Sequence, residues 1–171
     1  MNTPSVKVGT APTPISFVLN VTKDGVVEST ELSTLLPLCG IYVMSHSTQI
    51  IRVGESSSGI ARLKKGFRDP LRKMIRGKER KNYIAYSWRG NYRGKAVNVE
   101  YFELKDLRYK DNAFRRALEA ELTFQFRVAR KAWPSEMSEI HFLERFRNDQ
   151  LLVETASAIL KHYGVTYDGS V

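Results

Sequence analysis

One cysteine, Cys39, stands alone in the chain. A single thiol excludes an intramolecular disulfide and a thiolate-rich zinc site, and fits a reducing cytoplasm. The three histidines, His46, His141 and His162, are scattered and show no metal-ligand spacing. Long apolar runs are missing too: Ile15 to Val21 is too short and too interrupted to span a bilayer, so the expectation is a protein without a membrane partner. Acidic residues are scarce, 18 against 27 Lys and Arg, which leaves a net charge of +9 in 171 residues. That imbalance gives a polyanion an electrostatic reason to bind, and nucleic acid leads the candidates.

What is present is enough for one domain, since 42% hydrophobic residues can fill one core at this length. Residues 1–14, with three prolines among small polar residues, read as a flexible leader, and residues 15–171 as a single domain. Ile15 to Val27, broken at Lys23-Asp24-Gly25, predicts an N-terminal hairpin. A short helix over Thr30 to Leu36 leads into strands Gly40–Ser45 and Gln49–Gly54. Ser56 to Ser58 offer caps for a helix carrying Ile60, Leu63 and Phe67. Two β-like runs, Tyr83 to Trp88 and Ala96 to Leu104, predict a second hairpin through the turn-rich Arg89 to Gly94. The strongest helix spans Asn112 to Arg130, and two C-terminal helices are expected over Ser138–Phe146 and Asp149–Tyr163.

Charge is concentrated rather than spread. Between Arg62 and Lys81 ten basic and two acidic residues give +8, nearly the whole net charge. Lys64, Lys65, Arg68, Arg72, Lys73 and Arg76 read as a surface that tracks a DNA backbone. Arg89 and Arg93, interleaved with Tyr86, Trp88 and Tyr92, read as an aromatic and basic hairpin tip that enters a groove or packs on the sheet.

On the 112–130 helix, residues three and four apart share a face. Glu119 neighbours Arg115 and Arg116 and is most simply a solvated partner of them. Glu121 neighbours Ala117, Leu118, Phe124 and Gln125, at the edge of the apolar stripe, where a carboxylate is costly unless a cation or hydrogen-bond donors meet it.

Gly40-Ile41-Tyr42-Val43, then Ile51-Arg52-Val53-Gly54, then Arg62, then Glu119-Ala120-Glu121-Leu122 form an ordered series that resembles the catalytic core of the GIY-YIG endonucleases, over about residues 38–135. The resemblance implies an α+β fold: a small central antiparallel sheet flanked by helices, here with an added N-terminal hairpin and a C-terminal helical extension over 136–165. It implies a metal-dependent DNA endonuclease of restriction or mobile-element type, in which Tyr42 positions or deprotonates the attacking water, Arg62 stabilises charge on the phosphate, and Glu121 ligates Mg²⁺ or Mn²⁺. Such an enzyme cuts both strands by forming a homodimer or by nicking twice. Where the second triplet of the family brings a tyrosine, this chain has Arg52; if the signature strands pair, its guanidinium approaches Tyr42 and favours the phenolate. The same departure supports an alternative, a non-catalytic nucleic-acid-binding module that keeps the fold.

Overall fold

The computed structural model describes residues 12–28, 39–58 and 87–169. Among the described residues the chain builds a five-stranded antiparallel sheet and two α-helices, an α+β fold. Strands β1 (Ile15–Val21) and β2 (Val27–Glu28) form the expected N-terminal hairpin; β3 (Gly40–His46) and β4 (Gln49–Ser56) carry the two glycine-bearing triplets; β5 (Ala96–Glu103) is the third strand of that core. Their order across the sheet is β2-β1-β5-β3-β4. The helix expected over Thr30 to Leu36, the one expected after Ser58, and the basic run lie outside the described residues.

Period-two alternation divides the strands between two cores. On one face Ile41, Val43, Val53 and Phe102 pack under helices α1 (Asn112–Arg130) and α2 (Gln150–His162), against Phe114, Leu118, Leu122 and Ile159. On the other, Phe17, Leu19, Met44, Val97, Val99 and Tyr101 form a separate cluster with Trp88 and Tyr92. Both helices begin at aspartate caps: Asp111 accepts from the Ala113 N–H, and Asp149 from the N–H groups of Leu151 and Leu152. Lys131 ends α1 in the left-handed conformation, with φ of 52°.

Two expectations are corrected. Trp88 lies in a 3₁₀ turn, Ser87–Gly90, and pairs with no strand. Residues 83–86 of the expected second hairpin lie outside the described residues, and β5 has its two edges on β1 and β3. Ser138–Phe146 is extended or irregular except for a 3₁₀ turn at Glu144–Phe146. Its approach is set by the sheet: the N–H groups of Ser135 and Glu136 donate to the Ile50 and Ile51 carbonyls at 3.2 and 2.9 Å, and the Val53 N–H donates to Met137 Sδ. Backbone donors committed to the outer edge of β4 pull this stretch away from a helical path.

Candidate functional site

The site is built on the β3–β4 hairpin, and one extra residue decides its layout. Near the turn the pairing runs His46 to Gln49 and Ser45 to Ile50; above it, Met44 pairs with Arg52, Val43 with Val53 and Tyr42 with Gly54. The shift is a β-bulge at Ile51, which opposes no partner of its own. Had the hairpin register continued, Val53 would face Tyr42. With the bulge, Gly54 faces Tyr42, and Arg52 stands two pairs away, opposite Met44, on the same side of the sheet.

The glycines are there for rings. A Cβ on Gly54 would collide with the Oη and Cζ of Tyr42, so the phenol lies flat over residue 54. A Cβ on Gly40 would meet Tyr101 Cε1 at 2.6 Å and the Phe102 carbonyl. Each triplet glycine thus leaves the space that a cross-strand tyrosine fills. Tyr42 is half-buried against the cluster on the face away from α1 and α2. Arg52 is half-buried as well, and its Nε is fully enclosed with no hydrogen-bond partner among the described residues.

Beneath this hairpin, on the helical side, Glu55 of β4 and Arg115 of α1 form a buried ion pair, Nε to Oε2 at 3.0 Å with both side chains less than a tenth exposed. Arg115 also donates to the carbonyls of Tyr109 and Lys110, at 2.6 and 2.9 Å. The pair is well satisfied, and it anchors the first turns of α1 to the end of β4. Arg115 is therefore not the solvated partner of Glu119 that helix spacing suggests.

The two helix glutamates face different ways. Glu121 accepts from Gln125 Nε2 at 2.8 Å; the same nitrogen donates to the Val153 carbonyl, and Ser157 Oγ donates to Gln125 Oε1. That network ties Glu121 to the α2 flank of α1, close enough to Tyr167 to help hold its phenol above the ordinary range, behind burial as the larger cause. Tyr42 is on the opposite face of the sheet. The donors that an edge carboxylate requires are thus supplied by Gln125, and the position does not fit a Mg²⁺ or Mn²⁺ ion shared with Tyr42. Glu119 occupies the other flank, one turn beyond Arg115, in a small cleft with Arg116, Thr123, Met137 and His141. Met137 touches β4 through Val53, so Glu119 is the helix carboxylate on the side of the signature strand.

Of the remaining candidates, Arg62, Lys64, Lys65, Arg68, Arg72, Lys73 and Arg76 lie outside the described residues. Arg93 is exposed, as a DNA-facing residue needs to be. Arg89 is corrected: it is 0% exposed, packed beside Trp88 at 1%, so it cannot follow a phosphate backbone in the folded protein. Trp88 and Tyr92 pack on the sheet with it. The buried Glu55–Arg115 pair went unread in the sequence, although Glu55 follows Gly54 directly and its odd parity with Val53 places it on the helical side. Among the described residues no helix is long and apolar enough to cross a membrane. Comparison with known families, with curated proteins and with solved structures finds no match to this chain.

Proposed function

We propose that this chain is a DNA endonuclease that hydrolyses a phosphodiester at the Tyr42 face of the β3–β4 hairpin. The observation that carries the reading is the pairing of Tyr42 over Gly54 with the buried Nε of Arg52, unsatisfied among the described residues, two pairs away on the same face. A guanidinium N–H enclosed without an acceptor is costly, and an anionic oxygen is the acceptor that relieves it best. Phosphate or a tyrosine phenolate each supply one. In this reading Tyr42 orients or deprotonates the attacking water, Arg52 stabilises negative charge beside it, and Arg62 acts on the phosphate. The net charge of +9 supports a polyanionic substrate.

A second reading, a nucleic-acid-binding module without cleavage, is favoured by the placement of Glu121 on the α2 flank, hydrogen-bonded to Gln125. One experiment separates the two. Purified protein is incubated with duplex and branched DNA in Mg²⁺, in Mn²⁺ and in EDTA, alongside Tyr42→Phe. Cutting by the wild type that Tyr42→Phe abolishes supports the endonuclease. Binding without cutting under every condition supports the module. Absence of both overturns the nucleic-acid assignment.

A further inference from the structure

A groove of about 600 Å³ lies at the turn end of the β3–β4 hairpin, away from Tyr42. Its lining brings Ser47, Thr48 and Gln49 of the turn together with Arg130, Trp133 and Tyr163. Arg127, one turn before Arg130, stacks its guanidinium over the Trp133 ring at 4.4 Å from the centroid. Arg127, Arg130 and Lys131 are all exposed, and among the described residues no acidic side chain lines the groove.

Cations in the last turn of a helix have an ordinary explanation, since they offset the C-terminal end of the macrodipole. That does not account for the rest. A half-buried indole, braced on one side by a guanidinium and bordered by three hydrogen-bonding turn residues, joins a π surface, a positive charge and polar donors in one concavity. An apolar peptide would leave the turn residues and Arg130 unmatched, and a free anion would leave Trp133 unused. A nucleotide uses all three: base on the indole, phosphate on Arg130, sugar and base edges on the hydroxyls and amide.

We infer that this groove binds single-stranded nucleic acid, and that it is a second contact surface of the same substrate named above. An unpaired strand is specified because the bases of a duplex are stacked on one another and offer no face to Trp133. The inference rests on the nucleic-acid reading, but on different residues from those assigned to cleavage.

Fluorescence can test it in the full chain, because Trp88 is buried and Trp133 is the tryptophan that borders the groove. A short oligothymidylate and a duplex of the same length are titrated into the wild type, Trp133→Ala, Trp133→Phe and Arg130→Glu. The expected result is saturable quenching by the single strand that disappears in Trp133→Phe. Affinity should fall roughly 5-fold to 150-fold in Trp133→Ala, the span of base–aromatic stacking. Arg130→Glu, at an exposed position that leaves the fold intact, should weaken binding and flatten the log–log salt dependence by about 0.7 for each phosphate no longer neutralised. Single-strand affinity unchanged in Arg130→Glu and Trp133→Ala overturns this inference and leaves the nucleic-acid reading standing, as does wild-type binding to the duplex alone. No wild-type binding to either oligonucleotide overturns both.

Discussion

The phenol of Tyr42 occupies the volume that a side chain at residue 54 would fill. Ring and glycine are one fitted unit. A methyl at residue 54 must displace the ring, at a cost of about 1–3 kcal/mol for overpacking. Gly54→Ala should therefore lower stability in the wild type and cost much less in a Tyr42→Ala background. A double-mutant cycle by denaturant unfolding measures the coupling, and additive effects would show that ring and methyl do not compete.

Arg52 is expected to act through the ionisation of Tyr42. It sits on the same sheet face, two pairs from the tyrosine, and a cation there stabilises the phenolate relative to the phenol. Removing the charge should move the pH optimum of DNA cleavage upward in Arg52→Ala, with Arg52→Lys between that variant and the wild type. An unchanged profile would take Arg52 out of the reaction.

Breaking the Glu55–Arg115 pair should be among the most damaging changes in the protein. Arg115→Met leaves the Glu55 carboxylate buried beside α1 and the carbonyls of Tyr109 and Lys110 without their donor. The expected loss is about 3–5 kcal/mol, whereas changing both partners to apolar residues of similar volume should recover much of it. Thermal or urea unfolding of the two single variants and the double variant decides the point. Equal losses in all three would mean that the pair contributes through more than its charges.

Alkaline pH should unfold the protein earlier than its composition suggests. Burial, the largest cause, pushes Tyr109 up to about 12, although its hydrogen bond to Thr155 pulls the other way. Tyr101 and Tyr163 are raised further, both chiefly by burial. Beside Tyr163, the Glu100 carboxylate adds to the rise, while its Oε1 is already taken by His162 Nε2 at 2.8 Å. In the unfolded chain these phenols ionise near pH 10, so above that pH the folded state holds protons that the unfolded state has lost. Their stabilisation is complete below about pH 10 and drains away as pH climbs toward about 12. Tyrosinate absorbance should rise in two phases, the second coincident with loss of circular dichroism. Tyr109→Phe should soften the alkaline loss while giving up the Thr155 bond.

The two helix glutamates separate cleanly by assay. Glu121→Gln should preserve DNA cleavage within a few-fold, since Gln125 can bond an amide as well as a carboxylate and the residue stands on the far side of the sheet from Tyr42. Glu119→Gln tests the flank beside β4. Loss of cutting confined to Glu121→Gln would restore the metal-ligand role that the family resemblance implies.

Local patterns carried most of the architecture. Alternation marked β3, β4 and β5, and the 3.6-residue stripe delimited α1 at its observed ends. What escaped was non-local. Residues 138–146 have helical-looking chemistry, yet the strand edge beside the preceding segment took the backbone donors first. Arg89 looked like a surface cation because sequence cannot show that Trp88 would fold it inward. The position of Glu121 on the helix was legible, at the rim of an apolar stripe. Its partner was not, since Gln125 four residues on is an ordinary helix neighbour until α2 closes over both.

The bulge at Ile51 makes the candidate site a matter of counting. Pairing the same residues without it would keep the turn, both strands and the sheet order, yet residue 52 would emerge among the helices and a valine would arrive beneath Tyr42. Removing Ile51 itself would take out the bulge and leave Gly54 opposite Tyr42. Across relatives of this chain, a deletion at residue 51 should then be tolerated and one at residue 53 rejected, a rule about length that substitutions alone would never reveal.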